Sequence, residues 1–274
     1  MPETNLLKIE ASTAGMAYIG VGQVISYLRE HIAGPLLELD GSFEPIEKDG
    51  GESLIGVVDG GSGVVWNGTS FLIGAHRAGF RIYGGDKLLK REVDEVSVRI
   101  AQNQKHLDSI REEDELKMTE KLAGELEDGI FLIDGVLPDI ELPAAAIGIS
   151  KSTSRSLNGY PLTPFIMRKG KELFPDKPWC YSSEAGIFAL FHPLSKYLFR
   201  LEFSLDGARS LLKELLRYCN DPIYLGYPYP LALIHNDVAI TYEIMADILY
   251  SLQREEPSLL QMERFHRRLD ENLW

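Results

Sequence analysis

The chain has 274 residues, 45% of them hydrophobic and 25% charged, an ordinary globular composition and enough length for one large core or two small ones. Its 41 acidic and 28 basic residues give a formal charge of −13, which excludes a protein coated in basic patches for nucleic acid, because phosphate affinity comes from Lys and Arg. No apolar run reaches the length of a membrane span, and residues 1–10 lack a basic region followed by an apolar one, so a cytoplasmic protein without membrane contact is expected.

Cys180 and Cys219 lie far apart without metal-ligand spacing and read as reduced core thiols. No G-x-x-x-x-G-K-[ST] phosphate loop is present, so movement along a polymer would need another protein.

In chain order, Met16, Ile19, Val24, Tyr27 and Leu28 fall at helical spacing and Gly34-Pro35 ends the pattern. The spacing predicts a helix over 14–32, part of a small helical N-terminal extension and linker covering 1–48. A Gly-, Asp- and Lys-containing linker over 40–52 follows. Ser53 to Asp59 is then a short apolar run that reads as a buried strand ending on a carboxylate, with Gly60 to Gly63 turning the chain. Val64 to Tyr83 continues as strands broken by Asn67-Gly68, a hairpin signal. Taken alone, Asp59 before two glycines is ordinarily a turn aspartate.

Leu88 to Glu127 is charged with helical periodicity, Val93, Val96, Ile100, Leu107 and Ile110 forming an apolar stripe. Any one acid here is ordinarily a solvated charge. Glu115, however, shares a stripe with Met118, Leu122 and Leu126, which aims its carboxylate at the protein body. Glu120 shares a face with Leu116 and Ala123 and is the second choice. Gly129-Ile-Phe-Leu-Ile-Asp134-Gly135 repeats the design of a buried strand ending in Asp-Gly. If the two strands are neighbours, Asp59 and Asp134 emerge side by side and repel unless a cation such as Mg²⁺ or Mn²⁺ lies between them. Ala145 to Lys151 gives a further strand that sets a lysine near these acids, or one that pairs with a surface acid.

Residues 152–182 are the most basic stretch, carrying Arg155, Arg168, Lys169, Lys171 and Lys177; they read either as a loop on a phosphate backbone or as a solvated insertion. Ile187 to His192 and Tyr197 to Phe203 predict a strand pair, and Ala208 to Tyr218 an amphipathic helix. In Gly226-Tyr-Pro-Tyr-Pro, Pro228 and Pro230 fix a bend that leads into a helix near Pro230. Leu231, Ile234 and Val238 share its apolar face, with His235 and Asp237 in its second turn. A lone histidine there is ordinarily a core group bonded to a carbonyl; two acid-tipped strands earlier in the chain argue for a site. Helix resumes over Thr241 to Leu252, with Tyr242, Met245, Ala246 and Leu249 on one side, and Leu259 to Trp274 reads as a charged amphipathic helix suited to a subunit contact.

Four segments in this order, Val57-Val-Asp59-Gly-Gly-Ser, Ile130-Phe-Leu-Ile-Asp134-Gly135, Ile147-Gly-Ile-Ser-Lys151-Ser and Gly226-Tyr-Pro-Tyr-Pro-Leu-Ala-Leu-Ile-His235, resemble the motifs of the NurA nuclease family. The resemblance spans roughly residues 50–245 and places the nuclease domain at 49–256, with 257–274 as a C-terminal helix. It implies an α/β, RNase H-like mixed sheet of five or six strands flanked by helices, working as a homodimer. It also implies Mn²⁺-dependent 5′-to-3′ exonuclease and single-strand endonuclease action on DNA, single-stranded or at duplex ends. The implied partner is the hexameric HerA ATPase, in double-strand break end resection, chiefly in archaea. By position, Asp59, Asp134 and a helix glutamate would be metal ligands, with Tyr227 and His235 completing the site; Glu115 is the glutamate chosen on the helix-face argument.

Carboxylates suit hard divalent ions, Mn²⁺ or Mg²⁺. His235 could be a nitrogen ligand, which suits Mn²⁺ better, or a proton shuttle to the leaving oxygen. Tyr227 could orient the phosphate or stack on a base, and Lys151 could neutralise the scissile phosphate. Two other readings are an adaptor that docks on a ring translocase without catalysis, and an RNase H-like enzyme acting on RNA-containing substrates.

Overall fold

The computed structural model describes residues 6–9, 17–20, 39–47, 53–68, 70–126, 129–138, 145–151, 156–157, 160–204, 211–255 and 258. The expected C-terminal helix from Leu259 to Trp274 lies outside them. Leu6–Ile9 (β1) and Ala17–Gly20 (β2) form an antiparallel ribbon. Ala17–Gly20 is therefore strand where a helix over 14–32 was expected, consistent with the strand propensity of Tyr and Ile; the rest of that helix lies outside the described residues.

The main sheet has ten strands among the described residues, larger than the five or six expected. Its centre consists of Leu54–Asn67 (β4), Ile130–Asp134 (β8) and Ala145–Ser150 (β9), all parallel. Beyond β4, Leu72–Gly84 (β5) runs antiparallel and pairs with both Lys87–Val93 (β6) and Ser97–Ala101 (β7). Beyond β9 come Phe199–Phe203 (β14), Gly186–Leu190 (β13), Trp179–Ser183 (β12) and Ser42–Pro45 (β3), antiparallel at each step. Ser42–Pro45, expected as linker, is thus the sheet's edge. A small ribbon, Ser156–Leu157 (β10) with Tyr160–Pro161 (β11), stands apart.

The helices are Gln104–Ala123 (α1), Leu162–Leu173 (α2), Leu212–Leu215 (α3), Tyr229–Val238 (α4) and Tyr242–Glu255 (α5), with a 3-10 turn at Leu216–Cys219. Side-chain alternation along the strands divides the core between two faces. Val58 and Phe131 pack with Met118, Leu122 and Leu126 beneath α1. Val57 and Leu132 pack with Leu231, Ile234 and Val238 of α4 on the other face. Of the stripes predicted for Glu115's helix, Leu107, Met118 and Leu122 bury on α1 and Leu126 just beyond its end, whereas Val93, Val96 and Ile100 lie outside the helix and Ile100 is exposed; the stripe predicted after Pro230 buries on α4. Asn103 caps α1, its side chain accepting from the His106 backbone N–H at 3.0 Å.

Three expectations fail for identifiable reasons. Gly60 to Gly63 do not turn the chain; they pair with Arg77 to Ala78 and Ala75 to His76 inside a 14-residue strand. Gly60, Gly61 and Gly63 are glycines because helices cross them closely: a Cβ on Gly61 would lie 2.0 Å from the Val238 carbonyl oxygen. The turn comes at Asn67-Gly68, where Gly68 N–H donates to the Phe71 carbonyl at 2.9 Å. Leu88 to Ala101 is not helix but two strands on β5, with Leu89 and Ile100 exposed; charges that mimic a solvated helix face here belong to exposed strands. Residues 152–182 are not mainly a loop, since Leu162, Phe165, Ile166 and Gly170 form the buried face of α2 against Trp179. Of the helix predicted over Ala208 to Tyr218, Leu212–Leu215 is α-helix and Leu216–Cys219 a 3-10 turn, residues 208–210 lying outside the described ones, and the helix from Thr241 starts at Tyr242 after a break from α4, with Met245 and Leu249 packed inward but Tyr242 exposed.

Candidate active site

Parallel pairing of β4 and β8 ends at Val58 opposite Ile133. The next residues on the face toward α4 are Asp59 and Asp134, so period-2 alternation sets both carboxylates on one side at the place where the two strands part. Gly135 follows with φ 111°, a backbone only glycine adopts readily, and lets the chain leave the sheet directly after Asp134. Gly60 faces α1, and a Cβ there would stand 2.6 Å from the Glu115 side chain. The missing side chain is the gap through which Glu115 reaches Asp59.

Asp59, Glu115, Asp134 and His235 line one cleft of about 1090 Å³. His235 Nδ1 lies 2.8 Å from Asp59 Oδ2, and the Gly60 backbone N–H donates to Asp59 Oδ1 at 2.8 Å. Lys151 Nζ donates to Asp134 Oδ2 at 2.6 Å, and Arg111, one turn before Glu115, pairs with its carboxylate. Lys151 Nζ also sits 4.6 Å above the Tyr227 ring. Tyr227 and Lys151 line a neighbouring groove, of which His235 forms the shared wall. Glu120 is exposed and lines neither.

Burial raises the pKa of Asp59, against the pull of His235 and the Gly60 N–H, and the Asp134 charge raises it further. Burial likewise pushes Glu115 up to about 7; Arg111 opposes this and the Asp59 charge adds to it. The carboxylates thus destabilise one another's ionised forms. The buried Tyr227 hydroxyl faces Asp134, and burial, the Asp134 charge and the hydrogen bond to that carboxylate raise its pKa. Among the described residues no group of three or more His, Cys, Asp or Glu side chains stands ready to hold an ion, Glu115 being turned to Arg111, Asp134 to Lys151 and Asp59 to His235. The donor set itself fits a hard divalent cation: three carboxylates from two strands and a helix, one imidazole, and electrostatic strain that positive charge would relieve.

Two contributors were missed from sequence. Arg111 was visible only as an i, i+4 partner of Glu115. Asp237 does not partner His235; its Oδ2 accepts from Arg81 Nε at 2.6 Å and Arg91 Nε at 2.7 Å, tying α4 to β5 and β6. Those arginines come from strands more than 140 residues earlier, which local spacing cannot reveal.

No protein-family model matches the chain, and no curated protein matches it by sequence. Among solved structures the fold is similar to human ENDOV, with TM-score 0.44, 12% identity, and 79% of this chain and 95% of that chain covered. It is also similar to Endonuclease_V from Bacillus subtilis, with TM-score 0.41, 16% identity, and 85% and 92% covered. The likeness is greater to the NurA nuclease from Sulfolobus solfataricus, with TM-score 0.57 at 11% identity over 86% of this chain and 94% of that chain. The chain accordingly has the mixed α/β, RNase H-like fold of the NurA nuclease.

Proposed function

We propose that this protein is a divalent-metal-dependent nuclease that hydrolyses phosphodiester bonds in DNA. The observation that carries the reading is the convergence of Asp59, Glu115, Asp134 and His235 on one cleft from four elements, on a fold shared with a nuclease. Asp59, Glu115 and Asp134 would hold Mn²⁺ or Mg²⁺. When bound, the cation supplies Lewis acidity toward water and phosphate oxygens.

The chain's own groups supply the rest. Hydrolysis removes one proton from the attacking water and delivers one to the departing sugar oxygen as the P–O bond breaks. In the tautomer that donates from Nδ1 to Asp59, Nε2 presents a lone pair. That nitrogen can take up one proton and pass one on. The same Nε2 is the atom through which His235 would be a ligand, since a ligating imidazole ordinarily donates its other N–H to a carboxylate. Lys151, now paired with Asp134, offers positive charge to the phosphate. Tyr227, buried beside Asp134, offers a hydroxyl to orient it.

The finer reading follows the family resemblance: 5′-to-3′ exonuclease and single-strand endonuclease action, a homodimer, and a HerA-type hexameric translocase that feeds DNA during break resection. An acidic chain without a phosphate loop of its own supports such a division of labour. Cleavage of labelled single-stranded DNA in Mn²⁺ tests the chemistry. Wild type should cut, and Asp59→Ala or Asp134→Ala should lower the rate by at least about 100-fold with the fold intact by circular dichroism. A variant that cuts at the wild-type rate would refute the site, and a wild type that cuts nothing favours the adaptor.

A further inference from the structure

The groove beside the carboxylates, about 820 Å³ and sharing His235 with their cleft, is built differently from it. Among its described lining residues are Lys151, Lys196 and His235 and no carboxylate, in a chain whose net charge is −13. Apolar side chains stand open at its rim: Leu194 is 74% exposed, Tyr197 64% and Ile223 82%. Aromatic rings form a path inward, Tyr197 to Phe199 at 6.5 Å between centroids and Phe199 to Tyr227 at 5.6 Å. The path ends under Lys151, which is bonded to Asp134.

Both rims are held in place. On one, Leu194 N–H donates to His192 Nδ1 at 3.2 Å, Tyr197 N–H to the buried Ser195 Oγ at 3.1 Å, and Lys171 Nζ to the Ser195 carbonyl at 2.9 Å. On the other, Asp221 accepts from Ile223 N–H at 2.8 Å, and Asn236 donates to the Tyr224 hydroxyl at 3.1 Å. These bonds hold the backbone that carries the exposed ring and aliphatic groups, which lowers the ordering cost a ligand meets.

We propose that this groove binds unpaired nucleotides of the DNA strand being cut, one base stacking on Tyr197 between Leu194 and Ile223, with adjacent phosphates on Lys196 and Lys151. A base face is apolar and flat, and the phosphate beside it is anionic, which matches this pairing of aromatic and cationic groups. In a duplex the base faces are hidden in the stack, so the groove selects single strand. The inference rests on the nuclease reading and adds to it the surface on which the single strand lies.

The test is fluorescence anisotropy of the full chain with a labelled oligodeoxythymidylate and with a duplex of equal length, both in EDTA so that nothing is cut. Tyr197→Ala and Lys196→Ala should each weaken single-strand binding at least about fivefold, within the range that base–aromatic stacking spans, and leave duplex binding within about twofold. Tyr197→Phe, which keeps the ring, should bind as wild type does. Unchanged single-strand affinity in both alanine variants, or no measurable affinity in wild type, overturns the proposal. So does a Leu194→Asp variant that changes oligomeric state but not single-strand affinity, which would assign the rim to a second copy of the chain. Failure here leaves cleavage by wild type and its loss in Asp134→Ala untouched, so the groove and the nuclease reading fall separately.

Discussion

At the scale of single residues, the cleft is organised by the cost of crowding charge. Glu115 carries a pKa of about 7 against an ordinary 4.5 because it is buried near Asp59. Its folded-state pKa is raised, so the folded protein binds the proton more tightly, and stability from this group is full below about pH 4.5 and lost as pH rises through about 7. Glu115→Gln should therefore melt higher than wild type at about pH 8 without metal, and the gap, on the order of 3 kcal/mol at most, should close toward about pH 4.5. Differential scanning calorimetry across that window checks it; a gap independent of pH would show that Glu115 is not strained. The same proton competes with a cation, so cation affinity should fall as pH drops below about 7.

At the scale of elements, the site depends on two helices crossing β4 where side chains are missing. A methyl on Gly61 would meet the Val238 carbonyl oxygen, a backbone atom that moves only if α4 moves. Gly61→Ala should cost about 1–3 kcal/mol in chemical denaturation, and it should slow cleavage because His235 rides on the displaced helix. Wild-type stability and rate in this variant would mean that α4 is not held by that contact. Asp237→Ala should act in the same direction by removing the acceptor that joins Arg81 and Arg91. How much was legible from sequence follows from these elements. The strand ending at Asp134 and the helix begun by Pro230 could be read because buried runs and prolines act locally. Gly60 to Gly63 were misread as a turn because a glycine kept small for a helix neighbour looks the same in sequence as one that bends the chain. Lys87 to Ala101 misled for a related reason, since exposed strands and a solvated helix face carry the same charges. The inward aim of Glu115, by contrast, came from a stripe whose other members, Met118, Leu122 and Leu126, are buried as that stripe required, while its approach to Gly60 could not be read from sequence.

At the scale of the molecule, the acidic balance and the small number of groove cations set limits on DNA binding. If only Lys151 and Lys196 neutralise phosphates, the slope of log K against log salt for a single strand should be about −1.4. A slope near −6 would mean that the strand runs over many more cations than the groove provides. A shallow slope fits a nuclease that receives its strand from a translocase and grips it lightly. All of this presupposes that strand tips some 75 residues apart in sequence serve one cation. Mn²⁺ binding followed by electron paramagnetic resonance at about pH 8 tests that directly. Wild type should take up the ion, with Asp59→Asn, Asp134→Asn and Glu115→Gln each weakening it by at least about tenfold, because each removes one anionic oxygen donor from the same set. Uptake that survives all three substitutions at wild-type affinity would contradict the account.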